Sequence, residues 1–344
     1  MQTDEDTGLP LVTFQESGRE SLGPRDVLIR FLAAPINPLD ILVLADVYTT
    51  KPHHYLRGEP IMGYDGVGEI VLRGAAVSDV SPGDIVIPSK LGMGTWRTQA
   101  VVNVEWVHKI DQPSNNTFAA MMYSTVAPGF LLVEDMCNLR PGDWIIQNAA
   151  TSAIAQMVVQ FARLRNIHTI GIIRDRDVAE AESVKQTLHQ LGSEIVLTES
   201  EVEGNAEIGS KPVKLALDCV SGTSARRLVD LLSTGGTFVQ LGLVAERQGQ
   251  LPLDATNRSG HTPTFKTFRS KPQMALKSRE EQAHMFNGFV AQFNAGELVL
   301  PPLGLETILW NSREPEVSSE RIVKAVKRAQ SGRLGQRKQV MIFI

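Results

Sequence analysis

The chain has 344 residues, more than one hydrophobic core usually holds, so we expect two domains. Hydrophobic residues make up 42% and charged residues 21%, which is typical of a folded globular protein rather than a disordered or fibrous one. The formal net charge is −4 without any block of Lys and Arg, and this argues against a nucleic-acid partner. No apolar run approaches the roughly 20 residues that span a bilayer, so we expect no membrane segment.

The first third of the chain predicts strands joined by tight turns. Short apolar runs punctuated by Gly and Pro occupy 27–38, 63–72 and 82–88, and a short helix is expected over 38–45. Tyr48 follows that helix. Its phenol could donate a proton or hold a carbonyl oxygen, and simple packing is the alternative. The adjacent His53 and His54 lack further ligands at a suitable spacing, so we expect no metal.

From about Phe118 the pattern changes to buried strands that alternate with amphipathic helices. We expect strands over 144–150, 168–174, 193–199, 214–220 and 235–244, and helices over 154–166, 180–192 and 224–233. This alternation indicates a parallel, doubly wound sheet with helices on both faces. The polar stretch 245–273 predicts a long loop with at most one short strand, followed by helices over 279–295 and 318–332 and a last strand over 338–344.

The junction between the strand at 144–150 and the next helix stands where a dinucleotide-binding fold has its phosphate turn. Ala149, Ala153 and Ala155 occupy positions where glycines are expected, so a cofactor turn and a purely structural helix both remain open. About twenty residues further on, Arg174 and Arg176 flank Asp175. Two arginines at this place favour the 2′-phosphate of NADPH, and a solvated charged loop is the alternative.

Several segments together resemble the medium-chain dehydrogenase/reductase superfamily and, within it, the mitochondrial-type trans-2-enoyl-thioester reductases. They are AAPINPLDILVLADVYTTKP, GYDGVGEIV, SPGDIVIPSKLGMGTWRTQAVV, LRPGDWIIQNAATSAIAQMVVQ and IIRDRD. The resemblance implies an α/β protein with a GroES-like, β-rich catalytic domain (1–127 and 276–344) and a Rossmann domain with a doubly wound parallel sheet (128–275) that binds NADPH.

The resemblance also implies the site residues. Tyr48 would place or protonate the enoyl thioester, and Arg174 and Arg176, beside Asp175, would hold the adenosine 2′-phosphate. Lys338 would contact the cofactor from the last strand. Further cofactor contacts are implied at Asn37, Thr125, Thr151, Ser152, Ala153, Ile154, Leu241 and Gly242.

The expected activity is NADPH-dependent reduction of the carbon-carbon double bond of 2-enoyl thioesters, with hydride delivered to the β-carbon and a proton to the α-carbon. The acyl carrier, coenzyme A or an acyl carrier protein, stays open. A zinc-independent quinone or enone reductase stays open as an alternative, because it uses the same hydride delivery without a thioester. A catalytically weak paralogue also stays open, because Thr151–Ala155 replaces the Asn-Ser-Gly-Val-Gly turn of that family.

The expected compartment and assembly also rest on the resemblance. It implies the mitochondrial matrix, although the acidic start MQTDEDTGLP shows no targeting segment and a cytoplasmic location stays open. The two cysteines, Cys137 and Cys219, are too few for a disulfide framework and fit a reducing compartment. We expect a homodimer, because Rossmann domains of this superfamily commonly pair through an edge strand.

Overall fold

The computed structural model describes residues 21–48, 50–241, 256–257, 259–330 and 337–344. Its N-terminal third consists of short strands with few helices, as the glycine- and proline-punctuated runs predict. The elements in this part are β1 (Asp26–Ile36), α1 (Pro38–Leu44), β2 (Tyr55–Leu56), β3 (Glu59–Pro60), β4 (Val67–Arg73), β5 (Ile85–Pro88), β6 (Gln99–Asn103), β7 (Val107–Ile110) and α2 (Asn116–Ala120).

The middle of the chain alternates strand and helix. It comprises α3 (Ala127–Glu134), β8 (Trp144–Gln147), α4 (Ala153–Leu164), β9 (His168–Ile173), α5 (Val178–Leu191), β10 (Ile195–Thr198), α6 (Glu199–Val202), α7 (Ala206–Gly209), β11 (Val213–Asp218), α8 (Gly222–Leu231), β12 (Leu232–Leu241), β13 (Thr264–Phe268) and α9 (Ser270–Met274). The short strand β13 lies in the polar stretch 245–273, for which we expected at most one short strand. Helix α9 was not expected there.

The chain ends with α10 (Arg279–Asn294), β14 (Leu305–Trp310), α11 (Pro315–Gln330) and β15 (Lys338–Phe343). Strand β15 lies between β1 and β14 in a seven-stranded sheet of order β14-β15-β1-β4-β5-β7, in which β6 also pairs with β1. The pairs are antiparallel apart from β14 and β15. The last strand of the chain is therefore hydrogen-bonded to the first described strand, and Lys338 at its start lies near the end of β1.

The second large sheet has the order β10-β9-β8-β11-β12-β13, and all its pairs are parallel. Strands β8 to β11 are largely buried, which explains their continuous apolar sequences. The expected α/β fold with a β-rich part and a doubly wound parallel sheet is confirmed. Because the strands are parallel, the residues that follow β8, β9, β11 and β12 all leave the sheet at its carboxyl edge.

The contacts divide the chain into two compact units. Unit 1 comprises Met1–Ser124, Arg279–Leu300 and Gly304–Ile344, and unit 2 comprises Thr125–Ser278 and Pro301–Leu303. The functional boundaries at 127/128 and 275/276 stay a prediction. None of the described helices is long and apolar enough to cross a membrane.

Each unit has its own hydrophobic core. In unit 1, one cluster consists mainly of side chains from β1, β4 and β6. A second cluster packs α1 and α11 against side chains from the end of β1 and from β14 and β15. In unit 2, one cluster joins the sheet to α8, and another joins β9 and β10 to α4 and α5. Burial of apolar surface contributes roughly 25 cal/mol per Å², so these clusters fix the strand ends from which the candidate site residues project.

Candidate active site

The turn between β8 and α4 contains four of the expected cofactor contacts. Thr151, Ser152, Ala153 and Ile154 are partly exposed there, at the carboxyl edge of the parallel sheet. The Ser152 hydroxyl caps α4 by accepting a hydrogen bond from the Ala155 N–H at 3.2 Å. The first N–H groups of a helix have no partner within the helix, and the helix dipole is positive at this end. This turn can therefore accept an anionic group without any glycine.

Ala149 is the residue of the glycine-poor turn whose backbone conformation is unfavourable for an alanine. Its φ of +48° lies in the left-handed region, whereas Ala153 and Ala155 begin α4 in ordinary helical geometry. The Ser152 N–H donates to the Ala149 carbonyl at 2.8 Å and closes a tight turn. The strain expected for an alanine in this segment thus falls on one residue.

In the segment after β9, Asp175 has different contacts from the two arginines that flank it. Asp175 Oδ1 accepts hydrogen bonds from the Ser200 hydroxyl at 2.7 Å and from the Ser200 N–H at 3.0 Å. These bonds hold the pKa of the Asp175 carboxyl below its usual value. Arg174 is exposed, and the side chain of Arg176 is only 15% exposed. The acid is thus already engaged by the start of α6, while both cationic side chains follow the strand.

The guanidinium group of Arg176 has an ion-pair partner within unit 2 for only some of its N–H groups. Its Nη1 lies 2.5 Å from Glu180 Oε1, while its buried Nε has no hydrogen-bond partner among the described residues. Thr125, the first residue of unit 2, is fully buried, and its hydroxyl oxygen also lacks a partner there. Leu241 ends β12 and is partly buried, and Gly242 lies outside the described residues. Unit 2 thus contains two buried donors without a hydrogen-bond partner in the part of the chain that the structure describes.

Tyr48 lies in unit 1, four residues after the end of α1. It is half-buried and packs against the cluster that contains Tyr64 and Trp310. No described residue forms a hydrogen bond with its hydroxyl. Tyr64, in contrast, is 2% exposed, and its hydroxyl donates to the Thr50 carbonyl at 2.8 Å. The ring of Tyr48 is thus fixed by packing, and its phenolic O–H remains available.

Lys338 and Asn37 come together, as two of the expected cofactor contacts. Lys338 Nζ donates to Asn37 Oδ1 at 2.5 Å and to the Ser124 hydroxyl at 3.4 Å. Asn37 joins β1 to α1, and pairing of β1 with β15 brings Lys338 to it from the other end of the chain. The amide and the ammonium group therefore form one polar centre within unit 1.

Two buried carboxyl groups complete this centre and were not expected from the sequence. Asp40 Oδ2 accepts from the Asn37 N–H at 2.8 Å, and Asp65 Oδ2 accepts from the Ser124 N–H at 2.8 Å. Burial raises the pKa of Asp40 to about 7 and that of Asp65 to about 6. Burial lowers the pKa of Lys338 to about 8, although the two carboxyls oppose this shift.

A second polar network, also missed, joins the ends of β8 and β11 in unit 2. Asn148 Nδ2 donates to Asp218 Oδ1 at 2.6 Å and to the Ser224 hydroxyl at 3.1 Å, and Asn148 Oδ1 accepts from the Cys219 N–H. Both Asn148 and Asp218 are almost fully buried. The available signal was a polar residue at the carboxyl end of each apolar strand, Asn148 directly after β8 and Asp218 as the last residue of β11. This network fixes the strand ends beside the phosphate turn.

Comparison with known proteins gives the family. Residues 23–112 match the alcohol dehydrogenase GroES-like domain. The mitochondrial enoyl-[acyl-carrier-protein] reductase of Xenopus tropicalis is 34% identical over 308 residues, which are 87% of this chain and 85% of that protein. The chain belongs to the enoyl thioester reductase family. The same-named protein of Arabidopsis thaliana is 38% identical, and that alignment covers 64% of this chain and 59% of the relative.

Solved structures of this enoyl thioester reductase family have the same fold. The structure of the Etr1p/NADP/crotonyl-CoA complex has a TM-score of 0.81 at 26% identity and covers 95% of this chain and 93% of that one. The Etr1p/Etr2p heterodimer of Candida tropicalis, a mitochondrial 2-enoyl thioester reductase, has a TM-score of 0.80 at 26% identity with the same coverage. The resemblance inferred from the motifs is confirmed.

The left-handed backbone conformation of Ala149 predicts a measurable effect on stability. A non-glycine residue in the left-handed region destabilises the folded state by about 1–2 kcal/mol. Glycine avoids this cost, but it loses more chain entropy on folding, which offsets about 0.5–1 kcal/mol of the gain. We expect Ala149→Gly to raise the free energy of unfolding by about 0.5–1 kcal/mol in urea denaturation.

The neighbouring alanine is the matched control. Ala150 is fully buried and faces Gly171 of β9, so Ala150→Gly removes a packed methyl group and should lower the free energy of unfolding by about 1 kcal/mol. An Ala149→Gly protein that is less stable than the wild type would show that the turn carries no such strain.

Proposed function

We propose that this protein is an NADPH-dependent reductase of the carbon-carbon double bond of 2-enoyl thioesters. The observation that carries the proposal is the likeness, over nearly the whole chain, to a structure solved with NADP and crotonyl-CoA. The chemistry of the residues at the candidate site fits both molecules, as the following contacts indicate.

In unit 2, the proposed cofactor residues match the parts of a dinucleotide. The N–H groups at the start of α4, in the turn Thr151–Ile154, suit the pyrophosphate. Arg174 and Arg176 suit the 2′-phosphate, because guanidinium groups bind phosphate through paired, charge-assisted hydrogen bonds. Ser200 engages Oδ1 of Asp175 and so competes with the ribose hydroxyls of NADH for that carboxylate. Arg176 Nε and the Thr125 hydroxyl, which have no partner among the described residues, are donors that could form hydrogen bonds with a bound ligand.

In unit 1, Asn37, Lys338 and Tyr48 carry the rest of the proposal. Lys338 and Asn37 supply a cation and an amide for cofactor hydroxyls, and Tyr48 supplies the unpaired phenolic O–H. NADPH, when bound, supplies the hydride that adds to the β-carbon of the substrate. Tyr48 donates a hydrogen bond to the thioester oxygen, where negative charge develops, or a proton to the α-carbon. Its half-buried position strengthens that hydrogen bond, because water competes less well.

The experiment follows NADPH oxidation with two acceptors, crotonyl-CoA and a simple enone such as butenone. We expect a higher kcat/KM with crotonyl-CoA and formation of butyryl-CoA. Turnover of the enone alone would identify the quinone or enone reductase instead. Absence of any change in NADPH fluorescence on adding the protein would indicate a catalytically silent member of the family.

Carrier and compartment belong to the same proposal. Crotonyl-acyl carrier protein, compared with crotonyl-CoA at equal concentration, gives the carrier preference through the ratio of the two kcat/KM values. The relatives named above are mitochondrial proteins, so we propose the mitochondrial matrix for this one, in which case an organelle fraction should contain it.

We also propose a homodimer. Strand β13 forms the edge of the parallel sheet, pairs with β12 alone among the described strands, and exposes Thr264, Lys266 and Thr267. An edge strand with unpaired N–H and C=O groups can pair with its copy and extend the sheet. We expect size-exclusion chromatography with light scattering to give twice the mass of one chain, whereas a monomer at micromolar concentration would contradict the pairing.

A further inference from the structure

The polar centre of unit 1 is a continuous chain of hydrogen bonds with a carboxyl group at each end. Lys338 Nζ, in the middle, donates to Asn37 on one side and to Ser124 on the other. The Asn37 N–H donates to Asp40, and the Ser124 N–H and hydroxyl donate to Asp65. Each carboxyl is thus connected to the ammonium group through one neutral residue.

The two acids are buried to a degree that needs an explanation. Asp40 is fully buried and Asp65 is 1% exposed, whereas carboxylates are almost never fully buried without a partner. Neither forms a direct ion pair with Lys338 within 4 Å, so their interaction with it acts through space and through Asn37 and Ser124. Among the described residues, the half-buried Lys338 is the cation that interacts with both carboxyls.

We propose that Asp40 and Asp65 are positioning residues for Lys338, which keep its ammonium group charged and hold it between Asn37 and Ser124. The functional consequence of this positioning rests on the proposed function, in which Lys338 contacts the cofactor. The positioning of Lys338 does not depend on that contact. Without the two carboxylates, a lysine at this half-buried place would release its proton at lower pH, because burial disfavours the charged form. A neutral amine would be a weaker partner for an anionic or hydroxylated ligand.

The other titratable groups nearby do not supply the same charge. Burial raises the pKa of Tyr64 above its usual value and that of Tyr123 to about 12, so both phenols stay neutral, and they interact with Tyr48. On the adjoining strand, Glu306 pairs with Arg328 at 3.4 Å. Arg337 precedes Lys338 and is exposed. The upward shift of the Lys338 pKa, which opposes the effect of burial, is therefore assigned to Asp65 and Asp40.

Asp40→Asn is the cleanest variant. Its amide oxygen can still accept from the Asn37 N–H. The Tyr64 N–H also faces this carboxyl, so circular dichroism should accompany the variant. Asp65→Asn is the second variant, although both Asp65 oxygens accept N–H groups, so circular dichroism should accompany it. Glu69→Gln, in an exposed ion pair with Arg30 on the same sheet, is the control for the loss of one negative charge.

The experiment measures the protonation of Lys338 in the protein without cofactor. An amine-reactive acylating reagent is applied from pH 6 to pH 10 (roughly the range around the Lys338 pKa), and peptide mass spectrometry gives the labelled fraction of Lys338. The wild type should show a midpoint near 8. We expect Asp40→Asn and Asp65→Asn to lower it by about one pH unit, which is about tenfold more neutral amine at pH 7, and Glu69→Gln to leave it unchanged.

Unchanged or raised midpoints in both Asp variants would overturn the proposal. NADPH titration by fluorescence across the same pH range is the second readout, and weakening of binding should begin at lower pH in Asp40→Asn than in the wild type. If the midpoints fall while NADPH binding shows no such dependence, the positioning stands and the cofactor role of Lys338 fails.

Discussion

Tyr48→Phe should lower kcat for crotonyl-CoA by about tenfold to ten-thousandfold while leaving the affinity for NADPH nearly unchanged. The substitution removes only the hydroxyl, and the ring continues to pack against its cluster in unit 1. The lost hydrogen bond is one that strengthens as charge develops on the thioester oxygen, so the loss appears in kcat. Water acting as a substitute donor sets the lower end of the range.

Tyr55→Phe is the control for this prediction. Tyr55 is 57% exposed on the small hairpin of β2 and β3, so loss of its hydroxyl should leave kcat unchanged. Single-turnover measurements remove product release from the comparison. A Tyr48→Phe rate within a factor of about two of the wild type would make Tyr48 a packing residue, because loss of a transition-state donor costs more than that.

The second large effect concerns cofactor choice. Replacing both Arg174 and Arg176 by Ala should raise the KM for NADPH about tenfold to hundredfold and hardly change that for NADH. A guanidinium group meets the dianionic 2′-phosphate with charge-assisted hydrogen bonds, whereas NADH offers only hydroxyls at that place. Arg176 contributes less if its pairing with Glu180 persists in the complex, so the double variant is the informative one.

Arg226→Ala provides the matched control, since Arg226 lies in the same unit and pairs with Asp230 on the surface of α8. It removes one positive charge from unit 2 and should leave both KM values unchanged. Equal use of NADPH and NADH by the wild type would show that the arginines after β9 do not select the cofactor.

Most of the fold could be predicted because its signals are local. The apolar runs that became β8 to β11 are continuous, because both faces of a parallel sheet are buried, and the intervening helices have a different period. The first and last residues of the elements were predicted less accurately than the elements themselves. Strand β12 begins at Leu232, before the pair Gly235 and Gly236, because Leu232 already pairs with Val213 across a register shift. No local pattern indicates that pairing.

The candidate site could be predicted only where a motif marks it. The arginines were indicated by their spacing after the phosphate turn, Tyr48 by its phenol and by the family motif, and Lys338 by the resemblance alone. Their roles stay predictions. The contact between Asn37 and Lys338 joins residues 301 positions apart, so spacing in the sequence gives no hint of it. Asp40 and Asp65 were missed because an acid in a short helix or turn looks like an ordinary cap or surface residue. Their burial follows from tertiary packing alone.

The position of an isotopic label after a single turnover tests the proposed reaction directly. Crotonyl-CoA is reduced with NADPH that carries deuterium at the transferable position of C4, and mass spectrometry and NMR locate the label in the product. We expect butyryl-CoA with deuterium at the β-carbon and a solvent-derived proton at the α-carbon. Label at the α-carbon, or oxidation of NADPH without butyryl-CoA, would contradict it.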